Sequence, residues 1–230
     1  MDTPISDRLF RHAFGSPQTA GGLALNVLPP EYHRKIEGAT VSIRPESFVE
    51  RDLRANYSDL LICFEHGRRE REGSAGRTYL YVLVEHKSQP DRWVSLQVLN
   101  YMLGVHNRLR REDNKLAYLP EVIPIVLYNG CERWNHPLEF HHLVEGASAD
   151  SAHIPRFSPL FADLGQTDDE AFHGGIRTVV GLLFLKYLRR RITEDVARRL
   201  LDSMHREPVT SDLQVFYQPF YSALLEAKEP

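Results

Sequence analysis

Two carboxylates and a lysine carry the chemistry that is easiest to read in this chain. Asp59 stands in the run Tyr57-Ser-Asp-Leu-Leu-Ile-Cys-Phe64, and Glu85-His86-Lys87 closes the run Thr78-Tyr-Leu-Tyr-Val-Leu-Val-Glu-His-Lys87. Both runs have strand character, so side chains alternate between faces. Glu85 and Lys87 therefore share a face with Tyr81 and Leu83, while His86 shares the other with Leu80, Val82 and Val84. Charge on an otherwise apolar strand is costly to bury unless it is paired or bound to a cation. If the two runs form a hairpin, Asp59 falls beside Glu85. Paired carboxylates suit a hard divalent cation such as Mg²⁺. A lysine two residues on could orient or deprotonate a water, or neutralise charge on phosphorus. That set fits metal-assisted phosphodiester hydrolysis. The plainer alternative is a salt bridge at a solvent edge, worth about 0–1 kcal/mol.

The elements that must position these residues follow from hydrophobic pattern. Residues 4–14 read as a short helix, broken at Gly15-Ser16-Pro17, and 19–27 as a second, stopped by Pro29-Pro30. Ala39–Ile43 alternates like a strand. The polar run from Glu65 to Gly76 is a connecting loop between the two strands of a hairpin. From Pro90-Asp91 to Glu112, Val94, Val98, Tyr101, Val105 and Leu109 recur on one helical face. Val122-Ile-Pro-Ile-Val-Leu-Tyr128 is a continuous apolar run, the pattern of a doubly buried strand parallel to its neighbour. The chain is then loop-rich to about Asp169, with helical patterns over 170–191 and 193–204 and Thr193 as a cap. The expected organisation is an α/β core over 1–145 with a helical C-terminal extension over 146–230.

Composition narrows the classes. The chain has 230 residues, 42% hydrophobic and 26% charged, with 28 basic against 31 acidic side chains and a net charge of −3. An overall basic nucleic-acid binder is excluded, so contact with nucleic acid must use local patches. Two cysteines, Cys63 and Cys131, make no disulfide framework. No secretory signal or membrane-length apolar run is evident, which points to a cytoplasmic protein. Cys63 reads as a small buried hydrophobe. His136, His141 and His142 have no evident spaced carboxylate or cysteine partner and read as surface groups. For DNA, the hairpin-loop arginines Arg68, Arg69 and Arg71 are better placed than Arg108, Arg110 and Arg111 or Arg189–Arg191. Those two clusters end helices, where arginine also favours the dipole.

Four segments in order give the chain a family resemblance: Asp7-Arg-Leu-Phe-Arg11, Phe48–Arg54 leading to Ser58-Asp-Leu-Leu61, Leu83-Val-Glu-His-Lys-Ser88 and Val122–Gly130. Across roughly residues 5–140 the chain resembles the recombination-promoting nuclease and transposase-like family of the PD-(D/E)XK superfamily. The resemblance implies a restriction-endonuclease-like core, a mixed central sheet flanked by helices, and Mg²⁺-dependent DNA cleavage, with Mn²⁺ able to substitute. Asp59 matches the first acidic residue of the superfamily, and Glu85 with Lys87 its second motif. The His86 carbonyl would complete the metal shell, Asp7 on the first helix would be a third ligand, and Gln97 would point a polar group at the site. Ser58 replaces the motif's proline, a position that shapes backbone only. Lys87 stands where many members carry glutamine, which brings this chain closer to the superfamily pattern. A homodimer is compatible with cutting both strands. An inert DNA- or protein-binding module of the same fold, or an RNA-cleaving enzyme, are the alternatives.

Overall fold

A computed structural model of the chain describes residues 5–44, 60–66, 78–148, 151–190, 193–205, 208 and 210–226. Three helices lead in: α1 (Ile5–Phe14), α2 (Pro17–Val27) and α3 (Pro30–Ile36). Proline marks the start of α2 and α3 rather than a break. Pro17 occupies the first turn of α2, and the Ser16 hydroxyl caps it by accepting from the Thr19 amide at 3.2 Å. Pro30 opens α3 in the same way, so the Pro29-Pro30 pair that ends α2 also begins a helix.

Then come β1 (Thr40–Arg44), β2 (Leu60–His66), β3 (Thr78–Lys87), α4 (Val94–Glu112) and β4 (Glu121–Tyr128). They are followed by β5 (Leu160–Asp163), α5 (Ile176–Leu188), α6 (Glu194–Met204) and α7 (Ser211–Glu226). The sheet runs β1-β2-β3-β4-β5. Strand β2 runs antiparallel to both of its neighbours, β1 and β3, and β4 and β5 continue in parallel with β3. Helix α4 is the crossover between the parallel strands β3 and β4, as the apolar run of β4 suggests. The result is the mixed sheet flanked by helices expected of a restriction-endonuclease-like core, with a helical C-terminal part.

Strand alternation sorts the core into two layers. On one face Leu61, Cys63, Tyr81, Leu83, Val122 and Val126 pack against Val94, Val98, Tyr101 and Val105 of α4. Those four, with the half-buried Leu109 packed beside them, are the apolar stripe read from the sequence. On the other face Leu60, Ile62, Phe64, Leu80, Val82, Val84, Ile123, Ile125 and Leu127 meet α1, α2, α5, α6 and α7. Helix α5 is buried almost throughout, and its Phe184 ring lies 4.6 Å from Phe220 of α7. Gly181 lets α5 approach α1 closely: a Cβ there would meet the Ala13 methyl at 2.9 Å and Phe14 at 3.2 Å.

Three elements depart from the expectations. Strand β5 lies inside the stretch read as loop, and α3 and α7 were not expected. Both β5 and α5 follow residue 145, where composition suggests a division, and both are built into the same sheet and core. Thr193 does cap α6, accepting from the Val196 amide at 3.3 Å. Among the described residues no helix is long and apolar enough to cross a membrane.

Candidate active site

Strand β3 ends where its apolar character stops, at Glu85-His86-Lys87, and the following turn feeds directly into α4. That short connection brings the first turns of α4 over the end of the strand. The Gln97 amide is the hub of the resulting cluster. Its Nε2 donates to Glu85 Oε1 at 2.8 Å and to the Tyr101 hydroxyl at 3.0 Å, while its Oε1 accepts from Lys87 Nζ at 2.8 Å. Lys87 also faces Glu85 Oε1 at 3.1 Å and Asp91 Oδ2 at 3.0 Å. The Glu85 side chain is 3% exposed and that of Lys87 17%. The shared face of Glu85 and Lys87, legible from strand alternation alone, is thus the face that α4 covers.

The electrostatics follow from this packing. Burial alone would lower the pKa of Lys87, but Glu85 and Asp91 outweigh it and hold the ammonium above its ordinary range. Lys87 is therefore a fixed cation in this arrangement, suited to neutralising negative charge more than to taking a proton. Asp91 was not singled out from the sequence. It does two jobs: Oδ1 accepts from the Trp93 amide at 2.8 Å ahead of α4, and Oδ2 holds Lys87. The legible signal was an acid four residues beyond Lys87 at a helix start. Tyr101 is both core, at 1% exposure, and a hydrogen-bond partner of Gln97.

His86 and Asp7 meet, but on the other side of the strand. The His86 ring is buried against Phe10 of α1, stacked at 5.0 Å, and its Nδ1 lies 3.2 Å from Asp7 Oδ1. The hydrogen bond from His86 lowers the pKa of Asp7 more than burial raises it. Asp7, expected as a third metal ligand from α1, has its carboxylate engaged by the His86 imidazole, away from the face of Glu85. His86 stands 79 positions from Asp7 in the chain, a contact invisible to spacing. Together they tie α1 to the end of β3.

Asp59, Arg68, Arg69 and Arg71 lie outside the described residues. Leu60, the neighbour of Asp59 in the chain, pairs with Val84, the neighbour of Glu85. Of the other arginine clusters, Arg108 pairs with Glu112 at 2.7 Å, one turn along α4. Cys63 is fully buried and accepts from Arg44 at 3.8 Å, in keeping with a small core residue. The reading of His141 and His142 as lacking a carboxylate needs correction. Glu139, two residues before His141, lies against both, because a 3₁₀ turn over Phe140–Leu143 folds the three side chains together.

The donor set at Glu85 suits a hard divalent cation. It is a nearly buried carboxylate, the hard oxygen donor that such an ion prefers.

Comparison with known proteins bears on the same region. Over 196 residues the chain is 27% identical to "Recombination-promoting nuclease RpnC" of Escherichia coli (strain K12), which covers 83% of this chain and 62% of that protein. It is 28% identical over 187 residues to "Recombination-promoting nuclease RpnD" of Escherichia coli O157:H7, covering 80% and 68%. A third relative, 28% identical over 124 residues, is "Inactive recombination-promoting nuclease-like protein RpnE" of strain K12, covering 54% and 38%. The chain thus spans well under the full length of several curated relatives that it matches. No solved structure matches. A family model described as "Putative transposase, YhgA-like" matches residues 5–214, nearly the whole chain, and this protein belongs to that family.

Proposed function

We propose that the chain is a Mg²⁺-dependent DNA endonuclease with a role linked to recombination, its active centre built on Asp59, Glu85, Lys87 and Gln97. The observation that carries the reading is the hydrogen-bonded chain Glu85–Gln97–Lys87 at the end of β3. An inert strand end would be expected to leave these groups in water. Here they are desolvated and joined through one amide. The names of the relatives support the same reading, since RpnC and RpnD are both called recombination-promoting nucleases.

In this proposal Asp59 and Glu85, with the His86 carbonyl, would hold Mg²⁺, for which Mn²⁺ can substitute. The cation would supply Lewis-acid stabilisation of charge on the scissile phosphate. The chain's own residues do the remaining work. Lys87, held as an ammonium by Glu85 and Asp91, presents positive charge where negative charge grows on phosphorus. Gln97 fixes the separation of Glu85 and Lys87, because a single planar amide contacts both. Arg68, Arg69 and Arg71 would track the DNA backbone, and a second copy of the chain would allow both strands to be cut.

The name of RpnE favours one second reading, a catalytically inert relative that keeps the fold for binding. Incubating purified protein with supercoiled plasmid separates the two. Cleavage with Mg²⁺ or Mn²⁺ that stops on adding chelator is the expected result. Intact plasmid under every metal condition, with DNA still bound, would establish the inert module.

A further inference from the structure

A second cluster of metal-ligating groups shares no residue with the one at Glu85 and has no part in the nuclease reading. Glu139, His141 and His142 each offer one ligand atom, and the three atoms lie within 4.8 Å of one another. His141 Nδ1 is 3.4 Å and His142 Nε2 is 4.0 Å from the same carboxylate oxygen, Glu139 Oε2. Charge-assisted N–H···O bonds run about 2.7–2.9 Å, so these contacts are long for hydrogen bonds. The shorter of them is close to what a shared cation requires. Zinc–nitrogen bonds of about 2.0–2.1 Å in a tetrahedron place neighbouring ligand atoms about 3.3 Å apart. The two imidazole rings are tilted by 54° with centroids 4.1 Å apart.

The backbone that carries these groups is held in place. The Phe140 amide donates to the Phe157 carbonyl at 3.1 Å, and the two rings stack at 5.7 Å. Within the 3₁₀ turn the His142 amide donates to the Glu139 carbonyl at 3.2 Å. One residue before Glu139, the Leu138 carbonyl accepts from Ser95 on the first turn of α4 at 2.5 Å. The cluster is thereby fastened to the helix that supplies Gln97, two residues beyond Ser95. Two imidazoles and one carboxylate form a borderline donor set, which favours Zn²⁺ over Mg²⁺. Three protein ligands leave a fourth position for water or an external donor.

We propose that Glu139, His141 and His142 form a zinc-class divalent-cation site, separate from the carboxylate centre at Glu85. Bound metal would fix the 3₁₀ turn that carries all three ligands. The proposal does not depend on the nuclease reading.

The test titrates metal-stripped full-length protein with Zn²⁺, and with Co²⁺ as a spectroscopic probe. With excess Mg²⁺ present to occupy the Glu85 centre, the wild type is expected to take one equivalent of Co²⁺ with the intense visible absorption of a four-coordinate ion. Loss of an outer-shell partner already weakens metal affinity by roughly 10–100-fold. His142→Ala and Glu139→Gln should lose at least that much, and the absorption with it. Both side chains are about half exposed, so the fold should tolerate the changes. Glu85→Gln should keep the intense four-coordinate Co²⁺ absorption, and a large excess of Mg²⁺ should not displace it. Unchanged Co²⁺ binding in both His142→Ala and Glu139→Gln would overturn the proposal. So would binding that disappears in Glu85→Gln, or an absence of binding by the wild type.

Discussion

Replacing Lys87 by methionine removes the ammonium that faces the Glu85 carboxylate at 3.1 Å while keeping the length of the side chain. The carboxylate is then left 3% exposed with its hydrogen bond from Gln97, short of its cation. Breaking a fully buried ion pair costs about 3–5 kcal/mol, and breaking an exposed one less than about 1 kcal/mol. This pair lies nearer the buried limit, and Gln97 still offsets part of the loss, so about 2–3 kcal/mol is expected. With a urea slope of about 2–3 kcal/mol per molar, the unfolding midpoint should fall by about 1 M. The double variant Glu85→Gln/Lys87→Met leaves neither charge in the pocket. It should therefore be more stable than the sum of the single losses, with a coupling of about 2 kcal/mol. The sign of the pH dependence follows from the raised pKa of Lys87. Its contribution is complete at neutral pH and is lost only as pH climbs above the ordinary value of 10.5. Urea unfolding of the four proteins without divalent metal is the assay. Strict additivity would refute the claim that Glu85 and Lys87 form one desolvated unit.

Other consequences are independent of that cycle. Asp7→Asn should cost about 1–2 kcal/mol at pH 7 by weakening the link from α1 to β3. Because His86 depresses the pKa of Asp7, the difference between wild type and variant should shrink as pH falls below the ordinary value of 3.8, which acid titration of stability would reveal. Gly181→Ala should destabilise by about 1–3 kcal/mol, since the new methyl meets Ala13 at 2.9 Å; an unchanged thermal midpoint would mean that α1 and α5 can move apart freely. Replacing Arg68, Arg69 and Arg71 together should flatten the salt dependence of DNA binding by up to about three units, and an unchanged slope would place the DNA path elsewhere.

Much of this was legible because it depends on period alone. The alternation of β3 puts Glu85 and Lys87 on one face and His86 on the other, and the 3.6-residue period of α4 sets its buried stripe. Gln97 was visible as a polar residue four before Tyr101 on that helix. What escaped depends on contacts between distant segments or on short elements with little pattern. Asp7 and His86 find each other only when α1 docks under β3. Strand β5 has just four residues, too few to show a period, and is defined by its neighbour β4. Helix α7 contains Pro219, which argues against helix locally, yet its Phe216, Tyr217 and Phe220 are buried in the core. Glu139 was missed because a spacing of two residues brings side chains together only in a tight turn.

The most direct measurement of the central claim is single-turnover cleavage of bound DNA at saturating Mg²⁺ by wild type, Glu85→Gln and Lys87→Gln. Each variant should retain DNA binding. Lys87→Gln should lose about 10²-fold or more in rate while keeping its affinity for Mg²⁺, the usual scale for a positioned electrostatic group. Glu85→Gln should lose rate and Mg²⁺ affinity together, because a neutral amide is a poor ligand for a hard cation. Cleavage at the parental rate by both variants would contradict the assignment of this cluster as the active centre.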